Sequence, residues 1–126
     1  MSRVLLDTSV LIGSRDPGEL EGAISAASLA ELHFGVLVAS DSDERARRAQ
    51  RLGVVEATFD PLAVDAPVAR EWGRLAAAVI ERGGKPRRRA MDLVIAATAT
   101  AHDVPLLTAD VADLSIISDL VRLQGA

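Results

Sequence analysis

Val4-Leu5-Leu6 forms an apolar run without alternation, the pattern of a strand covered on both faces of a parallel sheet, so residues 3–7 predict a buried strand. Gly22-Ala23-Ile24-Ser25 predicts a weaker second strand. Ser28 then predicts a helix N-cap, ahead of an apolar stripe of Leu29, Leu32, Val36 and Leu37. Asp43 to Leu52 predicts a charged helix carrying Arg45, Arg47, Arg48 and Arg51, with Glu44 and Arg48 spaced as an i,i+4 pair on a solvated face. A short strand or an irregular link near Thr58-Phe59 follows. The most regular segment is Asp65 to Arg82, where Val68, Trp72, Leu75, Ala76 and Val79 fall on one helical face and Gly83-Gly84-Lys85-Pro86 ends it. Met91 to His102 is apolar almost all round, as suits a central helix. Leu106–Thr108 and Leu120–Leu123 predict the last two strands, the second at an edge. Strands alternating with helices predict an α/β sandwich on a mainly parallel sheet, and 126 residues suit a single domain, 1–126.

Composition narrows the chemistry. Cysteine is absent, which excludes disulfides and thiolate metal sites. Aromatic residues are 2% of the chain (Phe34, Phe59 and Trp72), too few for single-strand binding that depends on base stacking. The opening Met1-Ser2-Arg3 leads into an apolar stretch too short for a signal peptide, and no window reaches a membrane span; the expectation is a cytoplasmic protein with no membrane partner. The formal charge of -4 disfavours polyanion binding unless acids are gathered in one place and offset there.

Four acids mark hand-over points between elements: Asp7 after the first strand, Glu31 one turn into its helix, Asp92 at a helix start and Asp110 after Leu106-Leu107-Thr108. In open parallel sheets sites form beyond the carboxyl ends of the strands, so one crevice can hold all four. Three of them also have an ordinary structural explanation. Ser28-Leu29-Ala30-Glu31 is a capping-box pattern, Asp92 suits a helix dipole, and Asp110 or Asp113 suits an Asx-turn. Asp7 resists such an account, because an unpaired charge ending a buried strand is costly. Carboxylates that converge without Lys or His repel one another, and a hard divalent cation resolves that repulsion. His33 lies about 200° round the helix from Glu31, which disfavours metal-free acid–base cleavage.

Four segments in order carry a family resemblance: Leu5-Leu6-Asp7-Thr8-Ser9-Val10-Leu11-Ile12; Ser25-Ala26-Ala27-Ser28-Leu29-Ala30-Glu31-Leu32 with Gly35; Ala90-Met91-Asp92-Leu93-Val94-Ile95-Ala96-Ala97-Thr98-Ala99; and Leu106-Leu107-Thr108-Ala109-Asp110 with Asp113-Leu114. Over essentially its whole length the chain resembles the PIN domain family, and within it the VapC-type toxins of bacterial toxin–antitoxin pairs. The resemblance implies a three-layer α/β/α sandwich with a mainly parallel sheet of four or five strands. It implies a Mg²⁺-dependent endoribonuclease, with Mn²⁺ able to substitute and one or two ions bound. It implies Asp7, Glu31 and Asp92 as metal-site acids, and Asp110 as the fourth with Asp113 as its competitor. Thr8, Ser9 and Thr108 are then expected to orient carboxylates or waters. Arg87, Arg88 and Arg89 have two readings: they offset the acids and hold an RNA phosphate, or they form a solvated loop or an anchor for an acidic partner tail. A tRNA or rRNA substrate, a small antitoxin and a homodimer are implied as partners. Ala109 stands where the family commonly has a longer polar residue, and Leu114 where it usually has Phe.

Two alternatives stay open. A receiver-like phosphoacceptor domain would use Asp7, Asp60 and Thr108, but it also needs an acid pair after the first strand and a Lys near the last, and the only Lys is Lys85. A catalytically silent PIN-like binding module would keep the fold without the reaction.

Overall fold

The computed structural model describes residues 3–126; Met1 and Ser2, which open the stretch weighed above as a leader, lie outside them. β1 is Leu5–Leu6, followed by α1 (Thr8–Gly13), α2 (Ala26–Leu37), α3 (Ser42–Thr58), α4 (Ala66–Glu81), α5 (Ala90–Ala101), β2 (Leu106–Thr108) and β3 (Leu123–Gly125). Short 3-10 turns at Pro17–Glu19, Pro86–Arg89 and Val111–Ile117 join them. The sheet runs β1-β2-β3, all parallel, with Leu5 opposite Leu106 and Leu106 opposite Leu123. Isolated parallel bridges from Ala23 to Leu5 and from Leu62 to Ser25 extend it on the far side of β1.

Adjacent strand residues point to opposite faces, and here that divides the interior in two. Leu5 and Leu106 enter a core with Val68, Leu75, Val79, Leu93 and Ile95 from α4 and α5. Leu6 faces a second core of Val10, Leu11, Leu32, Leu52 and Val55 from α1, α2 and α3. The three layers follow directly, and so does the unbroken apolar sequence of β1.

Several elements differ from the sequence expectation. The second strand is reduced to the two bridges at Ala23 and Ser25. No strand forms at Thr58-Phe59: α3 runs on to Thr58, because Leu52, Val55 and Phe59 recur on one face and bury in the second core. Packing there outweighs the weak helix propensity of Gly53-Val54-Val55. The final strand sits further along, at Leu123–Gly125, because Leu120 and Val121 donate back to Ile117 and hold a turn. Ser28 is not the cap of α2. Ser25 is, accepting from the Ala27 amide at 3.0 Å, and Ser28 is buried inside the first turn. α4 matches its stripe, with Trp72 packed on the first core and donating to the Ala90 carbonyl at 3.2 Å. Its end is a paired closure in which Gly83 donates to Ile80 and Gly84 to Val79, with Gly83 at φ 83°.

Candidate functional site

Asp7 sits where β1 becomes α1, at the N-cap position, yet its carboxylate caps nothing. It is 7% exposed. Ser9 Oγ donates to its Oδ2 at 2.6 Å and Thr108 Oγ1 donates to the same oxygen at 2.9 Å. Each hydroxyl has one proton and spends it on Asp7, so the 3.3 Å approach of Ser9 to Thr108 is only proximity. Both hydroxyls are in turn fixed from behind: Ala109 N–H donates to Ser9 Oγ at 3.1 Å and Asp110 N–H to Thr108 Oγ1 at 3.0 Å. The parallel pairing of β1 with β2 is what brings residues so distant in sequence together. Asp7 Oδ1 accepts from neither hydroxyl.

Glu31 lies in the second turn of α2 and is half-buried. With Ser25 as the cap, it is too far along to close a capping box, and that structural explanation falls. Thr8 Oγ1 stands 2.8 Å from Glu31 Oε1 and 2.9 Å from the buried Ser28 Oγ. One proton cannot serve both acceptors, and the charge-assisted bond to the carboxylate takes it. Burial pushes the Glu31 carboxyl above its usual range; the Thr8 bond opposes that, while Asp92 and Asp7 add to it.

Asp92 occupies the first turn of α5. Its carboxyl is also raised, first by burial and next by Asp7; Arg89 works the other way, and Asp110 and Asp113 raise it further. All five acids named from the sequence therefore share one electrostatic neighbourhood. Asp110 and Asp113 are both exposed, in and beside the 3-10 turn after β2, and Asp110 makes no side-chain cap there. Asp110 acts on Asp92 more strongly than Asp113 does. Among the described residues, no three side chains of the Asp, Glu, His or Cys type are already closed into a coordinating group.

The cations lie outside the acids. Arg89 donates to the Asp113 carbonyl, and Arg87 and Arg88 are exposed on the turn leading into α5. His33 faces away and meets Glu56 at 3.0 Å, and His102 caps the end of α5. Two residues escaped the sequence reading: Arg48 and Arg51 line a cavity of about 340 Å³ beside Glu31, where a solvated face was expected. Their i,i+3 spacing was visible, but the packing of α3 against α2 that aims them was not. A further cavity on the other side of Glu31 is lined by Ala30, Phe34 and Met91. Leu114 is buried in the first core, in keeping with a packing role.

Comparison with known proteins bears on this geometry. The family model for the PIN domain matches residues 4–117. The chain is 38% identical to Ribonuclease VapC4 of Mycobacterium tuberculosis over 115 residues, covering 86% of each protein. It is 37% identical to Ribonuclease VapC5 of the same organism over 129 aligned positions, covering 97% of this chain and 88% of that one. Among solved structures, the VapBC-5 toxin–antitoxin complex of M. tuberculosis contains a chain that superposes with a TM-score of 0.82 at 34% identity, covering 99% of this chain and 98% of that one.

Proposed function

The chain belongs to the PIN domain family, and from that premise we propose that it is a metal-dependent endoribonuclease, the toxin of a VapBC-type toxin–antitoxin pair. The observation that carries the reading is Asp7: a buried carboxylate, gripped through one oxygen by Ser9 and Thr108, beside two other half-buried acids and with no Lys or His among them. Relatives named as VapC ribonucleases support the substrate class.

The donor set fits a hard divalent cation. Every donor is a carboxylate oxygen, and Glu31 and Asp92 are held above their usual range by burial and mutual repulsion, a cost that a cation removes. Asp7 through Oδ1 and Asp92 would hold Mg²⁺ or Mn²⁺, with Glu31 and Asp110 completing the set directly or through water and Asp113 as the competitor for the fourth place. Bound there, one ion or two would supply a water of lowered pKa and charge neutralisation at the phosphate. The protein's own part is positional. Ser9 and Thr108 fix the Asp7 rotamer, and Thr8 turns Glu31 toward the cleft. Arg87, Arg88 and Arg89 offset the acids and offer phosphate contacts. The reaction hydrolyses an RNA phosphodiester in tRNA or rRNA and leaves 5′-phosphate and 3′-hydroxyl ends.

A small antitoxin that covers the acidic cleft, and a homodimer, complete the proposal. Phe34, Leu37 and Val38 stand more than half exposed on α2, apolar surface that a partner chain would cover. The relative of known structure is described as a toxin–antitoxin complex.

The test is cleavage of a mixed RNA pool by the purified protein in Mg²⁺, Mn²⁺ or EDTA, beside Asp7→Asn. Metal-dependent cutting that disappears in Asp7→Asn is the expected result. Cutting that survives EDTA, or survives the substitution, overturns the mechanism.

A further inference from the structure

Arg51 lines the cavity beside Glu31 and also a second one of about 450 Å³, whose other walls include Arg15, Arg47 and Gln50. Arg51 is the residue that the two linings share. Arg47 and Arg51, four apart on α3, face the same way. Their neighbours are differently employed. Glu44 accepts from Arg47 at 3.1 Å and from Arg48 at 2.9 Å, and Arg48 also donates to the Gly35 carbonyl at 2.7 Å, tying α3 to α2. Asp16 is exposed and spends an oxygen on the Gly18 amide. Arg51 is half-buried, and among the described residues no salt bridge includes it. An acidic chain thus concentrates four arginines along one groove that starts at a site acid, and it leaves the central one without a counter-ion.

We propose that this groove is the track of the RNA backbone on the Glu31 side of the cleft, with Arg51 as the main phosphate contact and Arg15 beyond it; the proposal rests on the ribonuclease reading. An unpaired, partly desolvated guanidinium suits a phosphate, which it can grip through two parallel hydrogen bonds. Pro17 and Val54 are the apolar side chains of the second cavity, and Arg15, Arg47 and Arg51 bring three guanidiniums to the same wall, a charge pattern that suits a phosphodiester chain. The Arg87–Arg89 turn leads directly into α5 and Asp92, so a strand that reaches the acids has arginine near Asp92 as well as near Glu31.

The experiment measures binding of a short fluorescein-labelled mixed-sequence RNA to the intact protein in EDTA, over a salt series, by fluorescence anisotropy. Arg51→Glu is expected to weaken binding about tenfold and to lower the salt slope by about one. Arg51→Gln and Arg15→Glu should each give a smaller loss. Arg70→Glu, on the exposed face of α4, controls for net charge and should stay within about twofold of wild type. Circular dichroism checks each fold. Equal binding by Arg51→Glu and Arg70→Glu overturns the track, whether or not the protein cuts RNA. Arg51-dependent binding in a protein that never cuts RNA keeps the track and removes the nuclease. Unchanged RNA binding with loss of a co-expressed antitoxin from Arg51→Glu assigns the groove to protein and overturns the proposal.

Discussion

Two hydroxyls on one carboxylate oxygen are a means of aiming the other oxygen, and Ser9 and Thr108 do this for Asp7. Ser9→Ala is expected to lower divalent-cation affinity about 10–100-fold while the protein stays folded, as titration calorimetry would record. Glu31 and Asp92 give a prediction in pH. Both carboxyls are raised above ordinary values of 4.5 and 3.8. A raised carboxyl stabilises the fold fully below its unfolded value, and the contribution is lost as pH rises through the folded one. In EDTA the melting temperature should therefore rise as pH falls through the raised range of these carboxyls toward their ordinary values of 4.5 and 3.8. Glu31→Gln should flatten that rise and melt higher than wild type at the alkaline end. Glu44 and Asp119, both lowered, act in the opposite sense and only at more acid pH, so they do not mask the effect. At this scale Asp7, Asp92 and Asp110 were legible because each stands at an element boundary; Glu31, inside α2, was legible only as part of the family pattern. Thr8 was expected among the hydroxyls that orient carboxylates, but that its partner is Glu31, on another helix, was not legible.

Helix ends carry the clearest element-scale predictions. Asp65 caps α4, accepting from the Val68 amide at 3.2 Å, and Asp65→Ala should cost about 1 kcal/mol of stability with RNA cleavage unchanged. Gly84 follows the same helix, and a Cβ there would meet Val79 Cγ1 at 2.7 Å and Ile116 Cδ1 at 2.8 Å. Gly84→Ala should lower the melting temperature by forcing apart the end of α4 and the turn after β2. α4 was readable from the sequence because its stripe is long and its stop is made of glycine. The strands were less so: β1 has two residues, Ala23 makes a single bridge to Leu5, and the bridge at Ser25 depends on where Leu62 lands after α3. The capping motif at Ser28 was a true local pattern that lost to Ser25, because burying Ser28 against Thr8 serves the site.

For the whole molecule, the parallel sheet and its two helical layers followed from alternation of apolar strands and helices, while the division into two cores needed the register of Leu5 and Leu6. A ligand that binds only the folded state stabilises all of it, so saturating Mg²⁺ should raise the melting temperature, with about 2.7 kcal/mol of added stability at one hundred times the dissociation constant. Asp7→Asn should abolish the rise. Among the described residues no helix is long and apolar enough to cross a membrane. The pairing of β1 with β2 also sets a schedule. A ribosome releases Asp7 and Glu31 well before Leu106-Leu107-Thr108, yet Leu5 and Leu6 have no β2 beside them, and Asp7 no Thr108, until that stretch emerges. A nascent chain short of β2 carries Asp7, Glu31 and Asp92 without the hydroxyl that helps to aim the first of them. Completion of the acid cluster thus waits on β2 rather than on the acids themselves.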